Sequence, residues 1–227
     1  MTNTIAIVVA MDKELALLKP LIKDPMTVTI NNFDFLEGAI GARQVVVGRC
    51  GIGKVNAAVG ALTLIDTFHP AMVINTGVAG GTGAGDDPAG VMDLVMASEV
   101  AYHDVWCGPG TDYGVAAGCP GRFVCPLGED VAAAIGARRG LVASGDRFID
   151  SAADVAAVLA HYPEAMAVDM ESAAIAQVCH LKSVPFVCLR VVSDTPGAEG
   201  NGKLYEEFWT DAPARTFEAV EHLLNIL

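Results

Sequence analysis

Three carboxylates and one guanidinium stand at the edges of some of the most apolar sequence in the chain. Val168-Asp169-Met170-Glu171-Ser172 opens a helix, and the apolar run from Phe186 to Val192, with Arg190 inside it, ends in Ser193-Asp194. Charged groups are costly to bury unless they are paired or put to use. Carboxyls in such a setting can carry protons to and from a bound molecule, which makes this stretch the first candidate for a site. A further acid, Glu14, lies in the first turn of a helix that follows a strand directly; on its own it reads as an acid suited to the positive end of a helix dipole.

The elements that must position these groups alternate along the chain. Ile5 to Ala10 is a strand and Asp12 to Leu18 a helix; Met26 to Ile30 and Phe33 to Glu37 flank Asn31-Asn32, which suits a hairpin turn. Gln44 to Val47 is a strand leading through Gly48-Arg49-Cys50-Gly51-Ile52-Gly53-Lys54-Val55 into a helix that ends near Thr67. That turn nearly matches a P-loop, but Val55 stands where a Ser/Thr hydroxyl would meet magnesium, and the third glycine of a dinucleotide fingerprint is missing. It reads as a turn that brings backbone close to a ligand or a partner strand.

Ala71 to Ile74 reads as a buried strand, and Asn75-Thr76-Gly77-Val78-Ala79-Gly80-Gly81 as the glycine-rich loop after it, where amides can approach a substrate. Val91 to Ala97 is a strand, and an irregular region from Tyr102 to about Pro126 follows. His103 beside Asp104 is assigned no catalytic role. A helix over Asp130 to Ala137, a strand over Gly140 to Ala143, the strand-end loop Ser144 to Ile149 and a helix capped by Asp150 or Ser151 come next. Ala165 to Val168 feeds the acidic cluster, Ser172 to Leu181 is helical, Thr195 to Gly202 is a loop able to move, and a long amphipathic helix runs from Leu204 onward.

Strands alternating with helices over the whole length predict one α/β domain, a mixed central β-sheet flanked by helices. In such folds ligands bind beyond the carboxyl ends of strands, where Glu14, the Asn75 to Gly81 segment, Phe148, the acidic cluster and Asp194 all fall.

Composition narrows the partners. With 227 residues, 52% of them hydrophobic and 18% charged, the chain has enough apolar sequence for a large core and too little charge for disorder. Its net charge of -13, with no Lys/Arg cluster, argues against nucleic acid and against anionic membrane surfaces. Six cysteines without a C-x-x-C pair argue against zinc, and several of them, lying within apolar runs, read as small core residues. No apolar run approaches the roughly 20 residues of a membrane span, and Met1-Thr2-Asn3-Thr4 runs into a strand without a basic start or cleavage site, so a reducing, cytoplasmic setting is expected.

Taken together and in order, Ala10-Met11-Asp12-Lys13-Glu14, Gly51-Ile52-Gly53-Lys54-Val55, Asn75-Thr76-Gly77-Val78-Ala79-Gly80, Ser144-Gly145-Asp146-Arg147-Phe148-Ile149, Val168-Asp169-Met170-Glu171 and Arg190-Val191-Val192-Ser193-Asp194 resemble the 5'-methylthioadenosine/S-adenosylhomocysteine nucleosidases of the nucleoside phosphorylase superfamily. The resemblance implies a nucleoside phosphorylase-like fold, a homodimer, no metal or organic cofactor, and hydrolysis of an N-glycosidic bond that releases adenine. It assigns Asp194 as the acid that protonates the purine, Glu14 as the base for the attacking water, and Arg190 as the residue that orients this water and balances charge. Glu171 would bind the ribose hydroxyls, Met170 would pack on the sugar, and Phe148 and Ile149 would hold the base. Ile52, Val78 and Ser193 join the substrate-binding set, and Tyr205 takes the place of an aromatic lid. Val78 stands where the family carries a serine and Asp169 where it carries a glutamate, and the segment from Trp106 to Thr111 departs from the family pattern in a region that reaches a neighbouring subunit's 5' pocket. The alternatives are a futalosine-type nucleosidase, a phosphorylase, and a nucleoside-binding protein without catalysis.

Overall fold

Ile5–Val9 is apolar and buried at every position, as a strand covered on both faces must be. In the computed structural model, which describes residues 4–198, 201, 206, 208, 209 and 213–227, this strand is β1 of a mixed sheet. The other strands among the described residues are β2 (Lys23–Ile30), β3 (Phe33–Ile40), β4 (Arg43–Arg49), β5 (Met72–Gly81), β6 (Leu94–Tyr102), β7 (Phe123–Val124), β8 (Arg138–Ser144), β9 (Ala165–Asp169) and β10 (Phe186–Asp194). Among the described residues, the bounded α-helices are α1 (Asp12–Leu18), α2 (Lys54–Phe68), α3 (Glu129–Ala134), α4 (Ala152–Leu159), α5 (Ser172–Lys182) and α6 (Pro213–Ile226).

β5 organises the sheet. Its first half lies between β1 and β10, parallel to both, while Gly80 and Gly81 turn away to pair antiparallel with Val168 and Ala167 of β9. Because β10 also pairs β6, β6 pairs β8 and β8 pairs β9, these strands close a ring with β5. β4, β3 and β2 extend the sheet beyond β1. Helices cover both faces. Ala57, Ala61 and Leu64 of α2 pack with Ala173, Ile175 and Cys179 of α5 in one core cluster, while Leu18 of α1 and Val220, Leu223 and Leu224 of α6 join another.

The α/β mixed-sheet expectation holds, and its departures have physical reasons. Asn75 to Gly81 is not a loop: β10 pairs with it from Cys188↔Asn75 to Asp194↔Gly80, giving its amides and carbonyls strand partners that outweigh the low strand preference of glycine. The strand placed at Val91 to Ala97 begins later, at Leu94, because Met92 adopts a φ of 76°, and it runs on to Tyr102. The helix placed over Asp130 to Ala137 stops at Ala134, before Gly136 at a φ of 68°. Phe123–Val124, within the stretch read as irregular, pairs with β6. Asn31 and Asn32 have φ values of 50° and 65°, as a tight hairpin turn requires. The proposed start of the last helix at Leu204 lies outside the described residues, as does Tyr205.

Candidate active site

Glu14 is 2% exposed, a position a carboxylate can hold only with donors around it. They come from the main chain. Oε2 accepts from the amides of Ala10 and Met11, both at 2.9 Å, where β1 hands over to α1, and Oε1 accepts from the amide of Val78 in β5 at 3.1 Å. Gly77 makes room for this arrangement, since a Cβ there would collide with Glu14 Oε1. Burial raises the pKa of Glu14 against the opposing pull of these amides and of Arg190.

Glu171 begins α5 at the end of β9, and its Oε1 accepts from the amide of Gly53 in the β4–α2 turn at 2.8 Å. Burial and then the neighbouring Asp169 push its carboxyl up to about 7. Asp194, the last residue of β10, accepts from Ser193 Oγ at 2.6 Å on Oδ1 and from Asn201 Nδ2 at 2.9 Å on Oδ2.

Arg190 is 2% exposed and stays beneath this surface. Its Nε and Nη2 donate to Asp169 Oδ2 at 2.8 and 2.7 Å, Nη1 donates to the carbonyls of Leu189 and Asn75, and Nη2 also donates to the Asn75 side chain. Asp169 Oδ1 accepts from the Ser172 hydroxyl at 3.0 Å, and Asn75 Nδ2 donates to Val8 at 3.0 Å, so strands β1, β5, β9 and β10 are tied by one buried polar network. Removing one partner would leave the others unpaired in a dry interior, which is why such networks are kept whole.

Glu14, Ile52, Val78, Phe148, Ile149, Met170, Glu171, Ser193 and Asp194 line one cleft of about 630 Å³. Nine residues chosen from separate stretches of sequence are therefore brought together. Arg190 is not. It does not line the cleft: its guanidinium is held by Asp169 and Asn75, and its charge lowers the pKa values of Glu14 and Glu171 from beneath. Ile52 and Phe148, 53% and 58% exposed, form the rim, and Ile149 is buried behind it. His103 and Asp104 lie outside the lining.

Sequence reasoning missed Asn75, Gly77 and Asn201. The first two were legible only as members of a supposed loop; no periodicity or spacing marks Asn201. Among the described residues no group of three or more His, Cys, Asp or Glu could hold a metal ion, and no helix is long and apolar enough to cross a membrane.

Residues 4–225 match the family model of the phosphorylase superfamily. The 5'-methylthioadenosine/S-adenosylhomocysteine nucleosidase of Anoxybacillus flavithermus is 39% identical over 98% of both chains, and that of Staphylococcus haemolyticus is 37% identical over 98% of this chain and 100% of its own. The Neisseria meningitidis nucleosidase in complex with methylthio-immucillin-A superposes with a TM-score of 0.89 at 36% identity, covering 99% of this chain and 100% of that one. The Colwellia psychrerythraea enzyme in complex with adenine gives the same TM-score at 34% identity, covering 99% and 96%. The chain belongs to the phosphorylase superfamily and, within it, to the 5'-methylthioadenosine/S-adenosylhomocysteine nucleosidases.

Proposed function

We propose that the protein hydrolyses the N-glycosidic bond of 5'-methylthioadenosine and S-adenosylhomocysteine, releasing adenine and the thioribose product. The observation that carries this reading is that Glu14 and Asp194, which lie near opposite ends of the sequence, line the same cleft together with Glu171. Adenine leaves poorly as an anion, so Asp194 gives a proton to N7 while the C1'–N9 bond breaks and its electron pair moves into the purine. Positive charge builds on the ribose, and the carboxylate of Glu171 favours it while accepting hydrogen bonds from the ribose hydroxyls. Water adds its oxygen to C1' and yields a proton to Glu14. A carboxyl whose pKa is raised by burial is better matched to taking that proton near neutral pH than an ordinary one.

Water is favoured over phosphate as the nucleophile. The amides of Gly53 and Lys54 at the start of α2 are already taken by Glu171 and Asp146, and a dianion beside Glu14 would meet like charge. Phe148, Ile149 and Met170 supply apolar surface for base and sugar, with Ile52, Val78 and Ser193 completing the wall. Exposed Val55, Val59 and Leu62 on α2, Leu181 on α5 and Trp106 supply apolar surface of the kind a second copy covers, which supports a homodimer. Six free cysteines support a reducing cytoplasm, and the products suit salvage of the thioribose for methionine synthesis.

Incubation with 5'-methylthioadenosine, with and without phosphate, tests the reading. Adenine and free thioribose at a rate independent of phosphate are expected; a ribose 1-phosphate product would replace hydrolysis by phosphorolysis, and adenine binding without release would leave a binding protein.

A further inference from the structure

The purine side of the cleft is carried by Arg147, Phe148 and Ile149, which follow β8 on a segment with few side chains buried beneath it. Something must fix that segment against the β4–α2 turn, whose Gly53 amide holds Glu171. We propose that Asp104 is the positioning residue that does so. Its Oδ2 accepts from the amide of Asp146 and from Lys54 Nζ, both at 2.7 Å. Asp146 in turn accepts the Lys54 amide on its own Oδ1 at 2.6 Å, so the ends of β4, β6 and β8 meet in one closed circuit of hydrogen bonds.

The surrounding residues are shaped for this circuit. A Cβ on Gly145 would lie 2.7 Å from Asp104 Cγ and 2.6 Å from His103 Cε1, so only glycine lets the two loops approach. Gly53 sits at a φ of 91°, and a Cβ there would come within 2.9 Å of Asp146 Oδ1. Lys54 is steered from the other side by the Tyr102 ring, whose centroid is 5.4 Å from Nζ. Its charge therefore closes the circuit and is not free for phosphate. Asp104 touches no wall of the cleft, so its effect on a ligand must travel through Asp146 to Phe148 on one arm and through Lys54 to Gly53 and Glu171 on the other.

The inference rests on reading the Arg147 to Ile149 wall as the purine site. Its test uses the full chain, with 5'-methylthioadenosine turnover and adenine binding by calorimetry measured on wild type, Asp104→Ala, Asp104→Asn and Lys54→Met. The expected outcome for Asp104→Ala is a rise of about tenfold in KM and a loss of about tenfold in adenine affinity, the scale of one lost charge-assisted hydrogen bond, with kcat within about threefold of wild type. Asp104→Asn, which keeps an acceptor for the Asp146 amide, should recover part of that loss, and Lys54→Met, which removes one arm of the circuit, should raise KM and weaken adenine binding by about threefold with kcat unchanged. Wild-type KM and adenine affinity in Asp104→Ala would overturn the proposal, and so would a fall confined to kcat. A loss that follows dissociation into monomers and disappears at higher protein concentration would overturn it too. If Asp104→Ala does not fold, Lys54→Met carries the same test. A wild-type protein that neither binds adenine nor releases it would instead remove the functional reading itself.

Discussion

Glu14 is gripped by three main-chain amides, whereas Asp194 is gripped by two side chains, the Ser193 hydroxyl and the Asn201 amide. The amide donors belong to β5 and to the β1–α1 junction, elements fixed by parallel pairing in the centre of the sheet. Asn201 stands beyond β10, outside the ring of strands. Glu14, the proposed base, is thus held by main chain of the sheet, while Asp194, the proposed acid at the end of β10, is held by side chains. On the mechanism we propose, that difference suits the two roles: Glu14 would hold a small water at one point, whereas Asp194 would face a purine nitrogen.

The sharpest test of the comparison removes each acid in turn. Asp194→Asn and Glu14→Gln are each expected to lower kcat by about a thousandfold or more, the upper range for loss of a general acid or base. Adenine should still bind both variants, because its apolar wall is intact. Wild-type turnover in either would strike that residue from the mechanism. Next in size is Gly77→Ala, which leaves both acids present but pushes a methyl group against the Glu14 carboxylate. A displacement of this kind is expected to reduce kcat by about a hundredfold with little change in adenine affinity, as steady-state kinetics and calorimetry would reveal. If the alanine variant turns over normally, the main-chain cradle is not what places the base.

Asn201→Ala tests the opposite side and should do far less. Asp194 keeps Ser193 as a donor, so a change in kcat of about threefold to tenfold is expected. An effect as large as that of Gly77→Ala would mean that the acid is fixed as tightly as the base.

The same contrast explains what could be read from the sequence. Glu171 and Asp194 were legible because each is a charged residue where an apolar run stops, and strand ends in an α/β sheet are where ligands bind, whereas Glu14 reads alone as an acid at a helix start and gains its role from its place beyond a strand end and from the family resemblance. Arg190 was legible as a buried charge, but its partners were not: only the fold brings Asn75 and Asp169 to it. Asn75 to Gly81 reads as a loop by local preference and becomes strand because β10 lies alongside it. Asn201 and the Lys54–Asp104–Asp146 circuit had no local signal at all, since contacts between the ends of distant strands depend on topology and leave no spacing in the chain.

The smallest expected effect concerns stability, and its sign follows from Glu171. Burial holds this carboxyl at about 7 in the folded chain, against 4.5 for an ordinary glutamate, so between those values the folded protein keeps a proton that the unfolded chain has lost. Stability from this group is therefore fully present below about pH 4.5 and is lost as the pH rises through about 7. Glu171→Gln removes the titration while keeping a carbonyl oxygen for the Gly53 amide. Melting temperatures measured from pH 5 to pH 8 should therefore fall less with rising pH in the glutamine variant than in wild type. Parallel curves would mean that the Gly53 amide and the Arg190 network already hold Glu171 ionised in the empty site, leaving Glu14 as the carboxyl that burial raises.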